Sequence, residues 1–354
     1  MDECIPGLTS LINLGNTCFM NSALQCLSNT TNLRNYFLEG KYRHELNRGN
    51  PLGTDGVIAE LFAELIREIW GAQQPSIDPC KLKAAIYYNS QAYAENEQQD
   101  CQEFLVYLLD ALHEDLNRAG NVNQDHNPVE SDTALGSWER YKSKNDSFIV
   151  DTFQGQYRST VTCTRCHKLS VSYEPFMYLT LPVSPSRTLL KTITLEQCFK
   201  EFTKEEQLGE DNRWFCANCQ EYQQATKRIE LWRLPEILII HLKRFCHAAS
   251  RQTKVDMLVD FPLDGVDLNP WLTKSSGNMT YTLYATVNHF GCMESGHYTA
   301  FASNESTKCW FEFNDAHIRK IDPISLVDPS AYMLFYKLQN DPVVAKVPGE
   351  VSSS

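Results

Sequence analysis

The apolar residues of this chain change their period once, and that change limits the fold more than any other feature. Up to about residue 118 they recur at helical spacing. Met20, Ala23, Leu24 and Leu27 follow a turn at Gly15; Ile58, Leu61, Phe62, Leu65, Ile66 and Ile69 make a second stripe; Leu105, Leu108, Leu109, Leu112 and Leu116 make a third. Asp78-Pro79, a cap residue before a proline, marks the start of a further short helix. From about residue 150 the period is two: Tyr157, Ser159 and Val161 alternate with Arg158, Thr160 and Thr162, and 281–289, 297–303, 309–313 and 331–338 are rich in aromatic and β-branched residues. Glu236 to Phe245 is apolar enough to be a central strand. Helices first and mainly antiparallel strands afterwards define an α+β fold. Between the two parts, 119–137 is rich in Asn, Asp and Gly and has no period, so it reads as a flexible connection; 339–354 reads as a frayed tail.

Charge and cysteine content narrow the partners. With 32 basic and 44 acidic side chains the net charge is 32 − 44 = −12, which argues against nucleic acid, because binding a phosphate backbone draws on clustered Lys and Arg. A basic partner or substrate segment suits the sign better. The longest aliphatic stretch, Ile237 to Leu242, is far below the ~20 residues of a membrane helix, so no membrane insertion is expected. The acidic N-terminus has no apolar run, and 13 cysteines cannot all pair. A reducing, intracellular setting, cytoplasm or nucleus, is therefore expected, with the cysteines as thiols or metal ligands.

Four of them form a pattern. Cys163-Thr164-Arg165-Cys166 and Cys216-Ala217-Asn218-Cys219 each place two thiols two residues apart, so that a tight turn can bring both sulfurs to one ion. Two pairs complete a tetrahedron, and strand-like flanks suit two facing β-hairpin knuckles. Zn²⁺ is the favoured occupant, one per chain; four thiolates leave no open position, so the role is structural. Redox dithiols or a pair of disulfides are the plainer readings of the same residues.

A second set carries a different chemistry. Asn13-Leu14-Gly15-Asn16-Thr17-Cys18 is a glycine turn that delivers a cysteine to the first turn of a helix, where free N–H groups and the dipole favour a thiolate. Far along the chain, Ser295-Gly296-His297 opens a strand with a histidine, and Asn314-Asp315 ends the next one. Cysteine, histidine and Asn/Asp in this order is the arrangement of papain-like thiol hydrolases, in which the imidazole takes the thiol proton and the third residue orients the imidazole.

Asn13 to Ser22, Gln99-Asp100-Cys101-Gln102-Glu103-Phe104, the two Cys-x-x-Cys pairs, Asn288-His289-Phe290-Gly291 and Gly296-His297-Tyr298 together resemble the ordered motifs of the ubiquitin-specific protease family of deubiquitinases. The resemblance runs from about Gly7 to Leu338. It implies a papain-like cysteine protease fold in one catalytic domain, 7–338, with a helical thumb (7–118), zinc-bearing β-hairpin fingers with part of the palm (150–235) and a β-sheet palm (236–338). It implies Cys18 as nucleophile, His297 as general base and acid, Asn314 as the orienting residue with Asp315 as alternate, and Asn13 as the oxyanion-hole amide. Asp100, Gln102, Glu103 and His289 would bind substrate, the acidic pair meeting a basic tail; for Asp100 and Glu103 the plain reading is a carboxylate-rich helix start. Many members of the family carry Asp where this chain has Asn314. The implied reaction is thiol-dependent hydrolysis after the C-terminal glycine of ubiquitin, the implied partners are ubiquitin and ubiquitinated proteins, and the chain is expected to act as a monomeric catalytic core. Two other readings stand beside this one. A catalytically silent ubiquitin-binding module has no chemical need for Cys18, His297 and Asn13 together; a Cys–His deamidase or transglutaminase would use the same pair on another substrate.

Overall fold

A computed structural model describes residues 5–93, 97–119, 133–183, 191–248, 251–273, 279–292 and 295–339. Among them are eight α-helices: α1 Cys18–Ser28, α2 Thr31–Leu38, α3 Val57–Gly71, α4 Cys80–Asn89, α5 Cys101–Asp115, α6 Ala134–Lys142, α7 Phe148–Phe153 and α8 Leu195–Phe202. The three apolar stripes of the sequence are α1, α3 and α5. Every residue of α1 is buried, as expected for a helix enclosed on all sides. α4 starts where Asp78 Oδ1 accepts the Cys80 N–H at 2.9 Å. Helices α2, α7 and α8 are too short to show a period, although Thr194 and Gln197 announce α8 by a capping box. α6, capped by Thr133 Oγ1, begins inside the segment read as a connection; 120–132 of that segment and 340–354 of the tail lie outside the described residues.

The strands build one large sheet beside smaller ones. Its order is His317–Ile321, Cys309–Asn314, Gly296–Asn304, Thr280–Gly291, Ala331–Leu338, Ile237–Lys243, Leu179–Pro182, and only the last pair is parallel. Both faces are covered. Ile237 and Ile239 join the core shared with α1, α2, α3 and α5, whereas Leu238, Ile240 and Leu242 join a second core with Leu195, Cys198 and Phe199 of α8. A strand buried on both sides has no reason to alternate, which is why this segment reads as a continuous apolar run. α1 packs directly on the Gly296–Asn304 strand, so the fold brings the first helix against the strand that opens with His297.

A four-stranded sheet, in the order Leu169–Phe176, Gly155–Cys163, Ala225–Arg233, Glu206–Gln207, carries the first Cys-x-x-Cys at one hairpin turn. The second lies in the turn between Trp214–Cys216 and Glu221–Gln223.

Candidate active site

The glycine turn is built as the residues require. Gly15 and Asn16 both adopt positive φ, 93° and 51°, and a glycine at the first position takes that conformation without a Cβ clash. Asn13 braces the turn from inside: its Oδ1 accepts from the backbone N–H of Gly15 (3.0 Å) and Thr17 (3.2 Å) and from Thr17 Oγ1 (3.2 Å). Thr17 Oγ1 in turn accepts from Leu14 N at 2.9 Å. The turn therefore presents Cys18 as the first residue of α1, only 2% exposed, among N–H groups that no helical carbonyl uses. An anion is favoured there.

His297 is half-buried near the start of its strand. Its Nε2 lies 2.8 Å from Asn314 Oδ1; an amide oxygen only accepts, so Nε2 holds the proton and Nδ1 is left for Cys18. The hydrogen bond with Cys18 is the main reason the imidazole titrates at about 9 rather than near its ordinary value; burial opposes this and the Asn314 bond adds to it. The cationic form is held up by its neighbours, so it is present below that pH and is surrendered as the pH rises through about 9.

Asn314 and Asp315 make different contacts in this geometry, although both favour the His297 cation, Asn314 by a hydrogen bond and Asp315 by its charge. Asn314 pairs with His317 across the hairpin, which leaves Asp315-Ala316 as a two-residue turn, and Asp315 takes a φ of 48°. That conformation swings its carboxylate away from the strand toward α1. Oδ1 accepts from Asn21 Nδ2 at 2.8 Å and Oδ2 from Asn13 Nδ2 at 2.9 Å, while the Asp315 carbonyl accepts from Leu11 N at 3.2 Å. Thus Asn314 bonds the imidazole, and Asp315 fixes the nucleophile's turn and helix relative to it. The sequence leaves the two competing for one orienting role; the turn separates them. Asn21, one helical turn beyond Cys18, went unread, although a buried amide three residues after a candidate nucleophile was the available signal. We expect Asn314→Ala to lower turnover ten- to a hundredfold and to move the alkaline limb of kcat/KM below about 9, because a bond that favours imidazolium is lost. Combined with Asp315→Ala, the loss should stay within about threefold of the product of the single losses. A pH–rate series on the three variants measures both; an unmoved limb would remove Asn314 from the orienting role.

The other predicted residues are placed as follows. Asp100 is the N-cap of α5: Oδ1 accepts from Gln102 N (2.6 Å) and Glu103 N (3.3 Å), and Oδ2 accepts from Tyr332 OH at 2.5 Å. Both oxygens are engaged within the chain. Gln102 is half-buried and Glu103 exposed on the first turn of α5. His289 is 1% exposed, packed against Phe245, Tyr298 and Tyr332, and burial is the first cause that pushes its imidazole down to about 4. Gly296 fits against it because it lacks a side chain: a Cβ there would lie 2.1 Å from His289 Nε2.

The four cysteines of the two pairs come together. Their sulfurs all lie within 4.8 Å of one another, close to the roughly 3.8 Å edge of a tetrahedron with 2.3 Å metal–sulfur bonds. Cys166 and Cys216 sulfurs are 3.5 Å apart, and all four are free thiols. The two turns have the same construction. His167 N donates to Cys163 O (3.0 Å) and Gln220 N to Cys216 O (2.8 Å), and both His167 and Gln220 adopt positive φ, 59° and 57°. His167 thus serves the turn itself. Backbone hydrogen bonding from Lys168 lowers the Cys166 thiol to about 6, while hydrogen bonding with Cys166 raises Cys219 to about 12. Thiols this close resist joint ionisation, and a cation at the centre removes the conflict.

With this geometry in place, similarity to known proteins can be stated. The family model described as ubiquitin carboxyl-terminal hydrolase matches residues 9–336. The chain is 38% identical over 343 residues to human ubiquitin carboxyl-terminal hydrolase 2, covering 95% of this chain and 56% of that protein. It is 35% identical over 362 residues to ubiquitin carboxyl-terminal hydrolase 4 of Saccharomyces cerevisiae, covering 92% of this chain and 39% of that protein. The chain therefore spans about half or less of the length of these relatives. Among solved structures it resembles a chain of the SAGA Ubp8/Sgf11/Sus1/Sgf73 DUB module bound to ubiquitin aldehyde, with a TM-score of 0.75 at 25% identity, covering 96% of this chain and 71% of that one. The same module bound to monoubiquitin matches equally well, again with a TM-score of 0.75.

Proposed function

We infer the reaction from one premise: the chain belongs to the ubiquitin carboxyl-terminal hydrolase family, of the ubiquitin-specific protease type. It hydrolyses the isopeptide or peptide bond after the C-terminal glycine of ubiquitin, releasing ubiquitin from conjugated proteins or chains. The observation that carries this reading is the hydrogen-bonded series Cys18, His297, Asn314 at the N-terminus of α1. The Cys18 thiolate adds to the glycine carbonyl, and the oxyanion that forms is met by the Cys18 N–H and by the Asn13 Nδ2 proton that Asp315 does not take. His297 delivers its proton to the departing amine, leaving a thioester. Water then attacks with its proton passing to His297, and the thioester breaks to ubiquitin carboxylate and the Cys18 thiol.

The four-cysteine cluster is read as a site for one Zn²⁺, held by Cys163, Cys166, Cys216 and Cys219. When bound, the ion supplies a structural cross-link between two hairpins and no chemistry at Cys18. All three residues of the reacting series come from one chain, which supports a monomeric catalytic core, and the divisions 7–118, 150–235 and 236–338 are kept as its thumb, fingers and palm. The free thiols support a reducing intracellular setting. A ubiquitin bearing a C-terminal electrophile tests the function: covalent capture that requires Cys18 is expected. Binding of ubiquitin without capture would instead favour the silent module.

A further inference from the structure

We propose that Lys254 is a positioning residue for the reaction at Cys18, its ammonium tying the hairpin of residues 245–254 to the strand that backs His297. The proposal rests on the reading of Cys18 and His297 as the reacting pair. Its starting point is a fully buried cation that no carboxylate meets among the described hydrogen bonds and ion pairs. Arg244 is 0% exposed, and its guanidinium is spent on backbone carbonyls: Nε donates to Ala331 O (2.6 Å), Nη1 to Val255 O (3.0 Å) and Met257 O (2.7 Å). Val255 N donates back to Arg244 O at 2.8 Å. These bonds clamp the base of a two-stranded hairpin, Phe245–Ala248 with Arg251–Lys254, to the central strand Ala331–Leu338. A fully buried guanidinium bonded to carbonyls is a costly way to hold a two-stranded hairpin, so what the hairpin carries matters.

The two residues that close its base, Phe245 and Lys254, are register partners, and both reach His289. The Phe245 ring packs edge-on to the imidazole with centroids 5.3 Å apart, and Lys254 Nζ donates to the His289 carbonyl at 2.7 Å with its side chain only 10% exposed. His289 in turn pairs with Tyr298, and its ring occupies the space against Gly296, the residue before His297. The path thus runs from Arg244 to the Val255 carbonyl, from the neighbouring Lys254 to the His289 carbonyl, and from the His289 ring to Gly296, the residue before His297. The charge of Lys254 has a second effect. His289 is faced by Lys254 and His297, which disfavour its cation, and by Asp100 and Asp256, which favour it; Phe245, Tyr298 and Tyr332 enclose the ring. Burial is the first cause that keeps the His289 imidazole neutral at working pH, and the Lys254 charge adds to it.

Lys254→Met keeps the stem and removes charge and donors; Lys254→Arg keeps both. On the intact chain, with a C-terminal amide of ubiquitin as substrate, Lys254→Met is expected to lower kcat about tenfold while KM and the unfolding temperature change little, and Lys254→Arg to recover most of the loss. An NMR titration of the His289 imidazole should show it protonating at higher pH in Lys254→Met than in the parent. That titration needs no substrate, so it tests the contact of Lys254 with His289 even if the parent chain fails to turn over ubiquitin conjugates, an outcome that would sink the functional reading alone. Parental kcat in an active Lys254→Met chain, or a His289 titration that does not move, overturns the proposal.

Discussion

Cys18→Ser is expected to leave a folded chain that still binds ubiquitin and whose turnover falls about 10⁶-fold, the scale seen when a catalytic nucleophile is removed. The replacement exchanges one atom at a site 2% exposed, so packing changes little and the unfolding temperature should stay close to that of the parent. What is lost is acidity: an alcohol at the start of α1 has no accessible anionic form at neutral pH, and the dipole and free N–H groups that favour a thiolate find no charge to act on. His297 gives an independent readout. Its hydrogen bond with Cys18 is the main cause that holds it at about 9, so in Cys18→Ser the imidazole should titrate closer to its ordinary value. Activity above about a thousandth of the parent's, measured on a ubiquitin amide, would contradict the assignment of Cys18.

The four-cysteine cluster, read as a zinc site, predicts the second large effect, on stability rather than rate. Structural zinc bound by four thiolates has an apparent binding free energy of about 10–16 kcal/mol, comparable with the entire ~5–15 kcal/mol by which a typical domain is stable. Elemental analysis is therefore expected to find one zinc per chain. Cys216→Ser should lower the unfolding temperature by roughly 10 °C or more, because a fully buried sulfur that closes the tetrahedron is replaced by a poor ligand. The chemical step should survive at temperatures where the variant remains folded, since Cys18, His297 and Asn314 stand on α1 and the large sheet rather than on the two smaller sheets that carry the cluster. A metal-free chain that is equally stable would refute the zinc site. Instant loss of activity on chelation, with structure intact, would point instead to a metal that takes part in the reaction.

The change of hydrophobic period from 3.6 to 2 revealed the helical and β parts, and spacing alone paired the four cysteines, because both signals are local. The two missed features are not local. Nothing near Asp315 says that a positive φ will aim its carboxylate 294 residues back along the chain to Asn21. Likewise nothing near Asp100 says that its second oxygen meets Tyr332, 232 residues away, which no spacing rule connects. Lys254 illustrates the same limit: an exposed-looking residue in a polar hairpin becomes a nearly buried donor only once two hairpins stand side by side. Short helices such as α2 and α7 were hidden for a different reason, since fewer than three turns give periodicity too few points to register.

The strand order has a consequence for synthesis. Ala331–Leu338, which follows the other strands of the large sheet in the sequence, is not added at an edge; it fills the slot between Thr280–Gly291 and Ile237–Lys243. Until it arrives, the two halves of the large sheet have no strand to join them, and Tyr332 is missing from beside Asp100 and His289. Cys18 meanwhile precedes every strand of that sheet. At about 5–20 residues per second, the nearly 300 residues that separate Cys18 from Asp315 take roughly 15 to 60 s to make, during which the thiol exists without its imidazole or its carboxylate brace. The nascent chain is thus incapable of hydrolysis until Asn314 and Asp315 have followed Cys18 out of the ribosome, and without Ala331–Leu338 the large sheet would keep His297 and Asn314 on neighbouring strands but lose the strand that joins them to Ile237–Lys243.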